Sequence, residues 1–152
     1  MNLLNIFAGH LCSCGAPMRD VVRVLVVDND EGFRTFAASG LAEYDYSTTI
    51  AENAEEALDY LESGAPCDVV LTDVVMPGIG GVELRRRAQI MRPGLPVVLM
   101  SGRPDGLATA AHAGLFALQK PFTRFRMLCE IDAAIGRKSV SRRTSAIAKH
   151  EH

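Results

Sequence analysis

The sequence lacks a dominant charge, a membrane-length apolar run and a recognisable export signal. Its 152 residues include 18 acidic and 16 basic side chains and carry a net charge of −2, which gives no indication that nucleic acid is the main partner. No apolar run is long enough to span a bilayer. The mildly apolar first 17 residues also lack the basic segment that opens a signal peptide. The sequence therefore predicts a cytoplasmic protein that makes no use of a membrane.

Cysteine pairs with a recognisable spacing are also lacking. The four cysteines, at positions 12, 14, 67 and 129, fit neither a disulfide framework nor a paired CxxC zinc pattern. Cys67 and Cys129 lie in apolar stretches and are expected to be buried, reduced thiols. His10, Cys12 and Cys14 stand close together, but no fourth ligand for a soft metal is evident. The fold is therefore expected to depend on its apolar core alone.

The chain divides into three parts by composition. Residues 1–20 are predicted to be a flexible N-terminal leader, in which Met18 is an alternative start. Residues 21–136 carry regular apolar patterning and are predicted to form one domain. Residues 137–152 place Arg and Lys among Ser and Thr with few apolar residues, and this composition predicts a basic, disordered tail. The tail is too short for a helix-turn-helix unit, so we expect no DNA-binding domain.

Five apolar runs alternate with amphipathic stretches across residues 21–136. The first run, VVRVLVV, is nearly all β-branched, as expected for a parallel strand that is buried on both faces. Regular alternation of strand and helix predicts a doubly wound α/β fold, with a five-stranded parallel sheet between helices. The predicted strands cover residues 21–27, 46–51, 68–72, 95–100 and 115–119.

Local signals mark the ends and the inner faces of the predicted helices. Asn53, followed three residues later by Glu56, resembles a capping box. Thr123 is predicted to cap the last helix. Within that helix, apolar residues at helical spacing, including Phe125 and Leu128, are expected to face the core.

Four of the five predicted strands end in a polar residue of a distinct type. The first ends at Asp28 and Asn29, the third at Asp73, the fourth at Ser101 and the fifth at Lys120. Ligands of open α/β sheets bind at the carboxyl ends of the strands. Turn chemistry alone does not account for these residue types together at one edge. The sequence therefore predicts a ligand site at this edge.

The chemistry of these residues fits a phosphoryl group and a hard cation. Oxygens from Asp28, Asn29 and Asp73 suit Mg²⁺, which keeps several waters. The cation would offset a repulsion of roughly 4 kcal/mol between like charges about 4 Å apart, at an effective dielectric constant of 20. The Ser101 hydroxyl and the Lys120 ammonium suit phosphoryl oxygens, and such sites work by positioning and charge stabilisation.

The sequence as a whole resembles the receiver domain of two-component response regulators. The motifs that carry the resemblance are VLVVDND, DVVLTDVVMPGIGGVEL, PVVLMSG and LQKPF, and they fall within residues 21–136. They are especially similar to receivers attached to hybrid sensor kinases. The resemblance implies a flavodoxin-like sheet with strand order 2-1-3-4-5. It also implies a signalling domain rather than an enzyme, with slow self-dephosphorylation at most.

The resemblance also implies a role for each residue at the predicted edge. Asp73 would take a phosphoryl group from a sensor histidine kinase or a histidine phosphotransfer protein and form an acyl phosphate. The cofactor would be Mg²⁺, and the Lys120–Pro121 peptide bond would be cis. The implied metal ligands are Asp28, Asn29, Asp73 and the backbone carbonyl of Val75. The implied phosphoryl-binding residues are Ser101, Gly102 and Lys120.

Two positions depart from the family pattern. Asn29 stands where the family usually has a second acid, so we expect weaker Mg²⁺ binding and slower phosphotransfer; Asp30 lies one residue too far along to replace it fully. Ala117 stands where the family often has an aromatic residue that reorients on phosphorylation. Phe116 is adjacent, but neighbouring strand residues face opposite sides, and Phe116 is expected in the core.

Two alternatives stay open from the sequence alone. The first is a receiver-like protein-binding module that is not phosphorylated, which Asn29 and Ala117 favour. The second is a phosphatase of the haloacid-dehalogenase type, because Asp28-Asn29-Asp30 after an apolar strand mimics that family's Asp-x-Asp motif. The phosphatase reading leaves Asp73 unused and lacks a cap domain and the later acidic pair.

Overall fold

A parallel five-stranded sheet lies between two layers of helices in the computed structural model, which describes residues 21–136. The strand order is β2-β1-β3-β4-β5, so the predicted fold class and strand order are confirmed. The strands are β1 Val22–Val27, β2 Tyr46–Ala51, β3 Val69–Asp73, β4 Val97–Ser101 and β5 Ala117–Gln119. The helices are α1 Glu31–Ala42, α2 Ala54–Glu62, α3 Gly81–Met91, α4 Pro104–His112 and α5 Arg124–Ala134.

Strand β1 has a paired neighbour on each side, and its side chains supply two cores. Val24 and Val26 point into one apolar cluster, with residues of α1 and α5. Leu25 and Val27 point into another, with residues of α2 and α3. All four side chains are at most 1% exposed. The mainly β-branched run therefore supplies apolar side chains to both faces, as a strand that is buried on both sides requires.

Side-chain caps fix where three helices begin. Asn53 Oδ1 accepts a hydrogen bond from the Glu56 backbone N–H at 2.8 Å, as the sequence predicts for α2. Thr123 Oγ1 accepts from the Arg126 N–H at 3.1 Å and caps α5 as predicted. Asp30 Oδ1 accepts from the Gly32 N–H at 2.9 Å. The Asp30 carboxylate therefore serves as the N-cap of α1.

Two aromatic side chains that the sequence predicts in the core lie at the surface instead. Phe116 is 66% exposed and Phe125 is 53% exposed. Phe116 precedes the three-residue edge strand β5, beyond which no strand pairs. In α5 the buried residues include Met127, Leu128 and Ile131. Phe125 lies in the first turn of α5 and stays exposed, although Leu128, three residues further on, is buried.

The two cysteines among the described residues are less buried than predicted. Cys67 and Cys129 are unpaired and only half-buried. Burial nevertheless raises the pKa of the Cys67 thiol. The site suggested by His10, Cys12 and Cys14 lies outside the described residues, as do the predicted leader and tail.

Within residues 21–136, no helix combines the length and the apolar content needed to cross a bilayer.

A close backbone approach at Gly81 joins α3 to the end of β3. The Gly81 N–H donates to the Val74 carbonyl oxygen at 2.9 Å. A Cβ atom at position 81 would overlap the carbonyl oxygen of Asp73. Only glycine allows α3 to begin against the backbone of Asp73.

We expect Gly81→Ala to destabilise the fold by about 1–3 kcal/mol, because the overlap with backbone forces α3 to move. Gly102→Ala is the matched control. A Cβ there would meet Lys120 side-chain atoms at 3.5 Å, an ordinary contact. The free energy of unfolding of the Gly102→Ala variant should stay the same or rise by less than about 1 kcal/mol. Urea denaturation of both variants measures the difference, and equal effects would contradict the close approach.

Candidate functional site

Three charged side chains converge at the carboxyl edge of the sheet. Lys120 Nζ donates to Asp28 Oδ2 at 2.5 Å and to Asp73 Oδ2 at 3.1 Å. The side chains of Asp28, Asp73 and Lys120 are 1%, 13% and 19% exposed. Two carboxylates therefore share one ammonium group in a site that is largely shielded from water.

The second oxygen of each carboxylate is held by a backbone N–H. Asp28 Oδ1 accepts from Asp30 at 2.9 Å, and Asp73 Oδ1 accepts from Val75 at 3.0 Å. Each carboxylate is thus fixed by its own loop on one side and by Lys120 on the other. Hydrogen bonds to charged groups are stronger than neutral ones, so both side chains have defined orientations.

The register of the sheet explains why these residues meet. Val27 of β1 pairs with Thr72 of β3, so the residues that follow, Asp28 and Asp73, are neighbours. Lys120 follows β5, which is separated from β3 by β4. Adjacent strands are about 4.8 Å apart, so β5 lies two such spacings from β3, and the Lys120 side chain extends back past the end of β4 to reach both carboxylates.

Ser101 ends β4 behind this group and is fully buried. Its carbonyl oxygen accepts from the Lys120 N–H at 2.9 Å. Its hydroxyl contacts the backbone N–H and carbonyl of Arg103, each at 3.2 Å. A Cβ at Gly106 would overlap the Ser101 hydroxyl, so this glycine makes room for it. The structure therefore places Ser101 at the site with its hydroxyl turned toward the β4–α4 loop.

The other predicted residues lie around the same edge. Asn29 is exposed, and its side chain has no hydrogen bond to another described residue. Gly102 follows Ser101 and lies beside the Lys120 side chain. The Lys120–Pro121 peptide bond is cis.

Arg34 is a site residue that the sequence analysis missed. It lies on α1 and is 8% exposed. Its Nη1 donates to the Asp28 carbonyl oxygen at 2.7 Å, and its Nη2 lies 3.6 Å from Glu52 Oε1. The guanidinium group of Arg34 is thus a second cation near the site, hydrogen-bonded to the backbone of Asp28. The sequence contained one indication of this role, because a charged residue stands next to Phe33 where the apolar face of α1 begins.

Three aromatic rings form one wall beside Lys120. The Phe33 ring centroid lies 5.8 Å from that of Phe36 and 5.7 Å from that of Phe122. Lys120 Nζ lies 4.1 Å from the Phe33 centroid. A cavity of about 400 Å³ is lined by these rings together with Gly102, Lys120 and Pro121.

Comparison with known sequences identifies the same domain. The family model described as the response regulator receiver domain matches residues 24–132. The response regulator MprA of Mycolicibacterium vanbaalenii is 35% identical over 121 residues, which are 76% of this chain and 51% of MprA. The DNA-binding transcriptional regulator NtrC of Escherichia coli K12 is 35% identical over 115 residues, 74% of this chain and 24% of NtrC. This chain therefore spans about half the length of MprA and less of NtrC.

Solved structures agree with the sequence matches. A CheY-like response regulator receiver domain protein from Methanospirillum hungatei superimposes with a TM-score of 0.68 at 26% identity, covering 77% of this chain and 95% of that one. The receiver domain of the hybrid histidine kinase CckA gives a TM-score of 0.63 at 29% identity, covering 74% and 98%. The sheet order, the convergent strand ends and these matches agree: this chain belongs to the receiver-domain family of two-component response regulators.

Proposed function

We propose that Asp73 accepts a phosphoryl group from a phosphohistidine of a sensor histidine kinase or a histidine phosphotransfer protein. The observation that carries the proposal is the contact of Lys120 with Asp28 and Asp73 at 2.5 and 3.1 Å. It places a cation where charge develops during phosphoryl transfer. Asp73 is also more exposed than Asp28, so a donor has better access to it.

The transfer follows from the roles that these side chains can take. A carboxylate oxygen of Asp73 forms a bond to phosphorus, the N–P bond of the donor breaks, and the imidazole leaves with a proton from solvent. Lys120 exchanges its contact with Asp73 for one with a phosphoryl oxygen. The Ser101 hydroxyl turns from the Arg103 backbone to donate to another phosphoryl oxygen, and Gly102 leaves space for the group.

The donor set at this edge suits Mg²⁺. Two carboxylates, from Asp28 and Asp73, stand beside the Asn29 amide and the Val75 backbone, and all offer oxygen ligands. Among residues 21–136 no three His, Cys, Asp or Glu side chains form a metal cluster, but Mg²⁺ binds through one or two carboxylates and keeps water. When bound, the cation would neutralise part of the charge on the incoming phosphoryl group. Asn29 contributes no charge, so this Mg²⁺ site should be a weak one.

An unphosphorylated protein-binding module is the second candidate function. It is favoured by Asn29, which leaves the site one carboxylate short, and by Ala117, which supplies no aromatic ring in β5. A phosphatase of the haloacid-dehalogenase type would instead use Asp28, which is 1% exposed and bound to Lys120. Turnover of a phosphate ester that Asp28→Asn abolishes and Asp73→Asn preserves would favour that enzyme.

We expect the intact mass of the protein to rise by one phosphoryl group after incubation with Mg²⁺ and phosphoramidate. Asp73→Ala should remove the gain, because it removes the accepting oxygen. Asp59→Ala is the matched control: Asp59 is an exposed residue of α2, and this variant should be labelled like the natural sequence. Intact-protein mass spectrometry measures all three. Labelling of the Asp73→Ala variant, or none in any protein at saturating Mg²⁺, would contradict the proposal.

We expect Asn29→Asp to raise the affinity for Mg²⁺ by about tenfold, equivalent to about 1.4 kcal/mol, because it adds a negative charge to the ligand set. Asn53→Asp adds the same charge at the N-cap of α2 and should leave the affinity within about twofold. Isothermal titration calorimetry with Mg²⁺ gives both constants. An unchanged constant for Asn29→Asp would show that position 29 does not contribute to metal binding.

A further inference from the structure

The Lys120 ammonium has three N–H groups, but only two of them have oxygen partners. One donates to Asp28 and one to Asp73. No third oxygen in the described part of the chain accepts from it. Lys120 is only partly exposed, so the groups that surround the ammonium besides the two carboxylates affect how firmly it is held.

The face of the Phe33 ring lies against the same ammonium group. Lys120 Nζ lies 4.1 Å from the ring centroid, well within the range of about 6 Å for a cation–π contact. Phe33 lies in the first turn of α1, the helix that also carries Arg34. The ring is itself held by Phe36 and Phe122, whose centroids lie 5.8 and 5.7 Å away. The ring therefore has a fixed place from which to contact the ammonium.

We propose that Phe33 is a positioning residue for Lys120. Its ring holds the ammonium group at the two carboxylates and keeps it from swinging into solvent. The consequence for catalysis rests on the proposed function: Lys120 is then ready to contact the phosphoryl group without first being reoriented. Phe33 itself takes part in no bond change.

The test compares three substitutions in the full chain. Phe33→Leu keeps an apolar side chain and removes the ring face, whereas Phe33→Tyr keeps the ring. Phe36→Leu removes a ring from the same cluster and the same helix, but the cation–π contact among the described residues is made by Phe33. At saturating Mg²⁺, Phe33→Leu should slow phosphorylation of Asp73 by phosphoramidate about three- to tenfold. Phe33→Tyr and Phe36→Leu should stay within about twofold of the natural sequence.

A second readout does not depend on phosphorylation. The chain has three lysines, Lys120, Lys138 and Lys149, so peptide mass spectrometry resolves the rate at which an amine-acylating reagent labels each one. Phe33→Leu should raise the labelling rate of Lys120 about three- to tenfold relative to the other two. Phe33→Tyr should keep the natural rate, and Phe36→Leu, which removes a supporting ring but keeps the cation–π contact, should change it by less than about twofold.

The outcomes separate the two proposals. Suppose that the natural chain is not phosphorylated but that only Phe33→Leu raises Lys120 labelling by about threefold or more. That result overturns the proposed function and retains the positioning role. Equal effects of Phe33→Leu and Phe36→Leu overturn the positioning role, because packing alone then explains them. Failure of Phe33→Tyr to restore either readout overturns it as well.

Discussion

The carboxylates of Asp28 and Asp73 lie within 3.1 Å of one lysine nitrogen, in a site with little exposure to water. Two like charges about 4 Å apart repel by roughly 4 kcal/mol at an effective dielectric constant of 20. The arrangement is therefore stable only with a cation between the two groups. Lys120 supplies that cation from a strand that does not pair with either β1 or β3. The electrostatics of the site thus depend on the order of the strands, and the order brings together residues that are distant in sequence.

The elements around this group each fix one of its members. α1 holds the backbone of Asp28 through Arg34, while α3 begins against the backbone of Asp73 at Gly81. The aromatic wall lies along Lys120. The site is consequently built from helix starts and strand ends, and the two apolar cores set the positions of both. This explains how a domain with few polar side chains in its interior keeps three charged ones in a defined geometry.

The sequence predicted the features that depend on local patterns, namely the apolar runs of the strands, the helix caps and the polar residues at the strand ends. The apolar run of β1 and the caps at Asn53 and Thr123 were predicted from local patterns, and the strand order that the family resemblance implied was confirmed. Phe116 and Phe125 were misplaced because hydrophobicity does not reveal which side of a short edge strand, or of a helix's first turn, is covered. Arg34 and Phe33 were missed as site residues for another reason. Their contacts cross from α1 to other elements, and no spacing along the chain encodes them.

Because two carboxylates share Lys120, the order in which such a domain could lose its charged residues matters for its stability. If the lysine were replaced first, two uncompensated acids would remain side by side in a poorly hydrated site. If an acid were replaced first, the lysine would keep one partner and the fold would lose little. Replacing one of the acids first should therefore destabilise the fold less than replacing the lysine first. Asn29 lies outside this balance of charges, because it is exposed and the partners of Lys120 are Asp28 and Asp73.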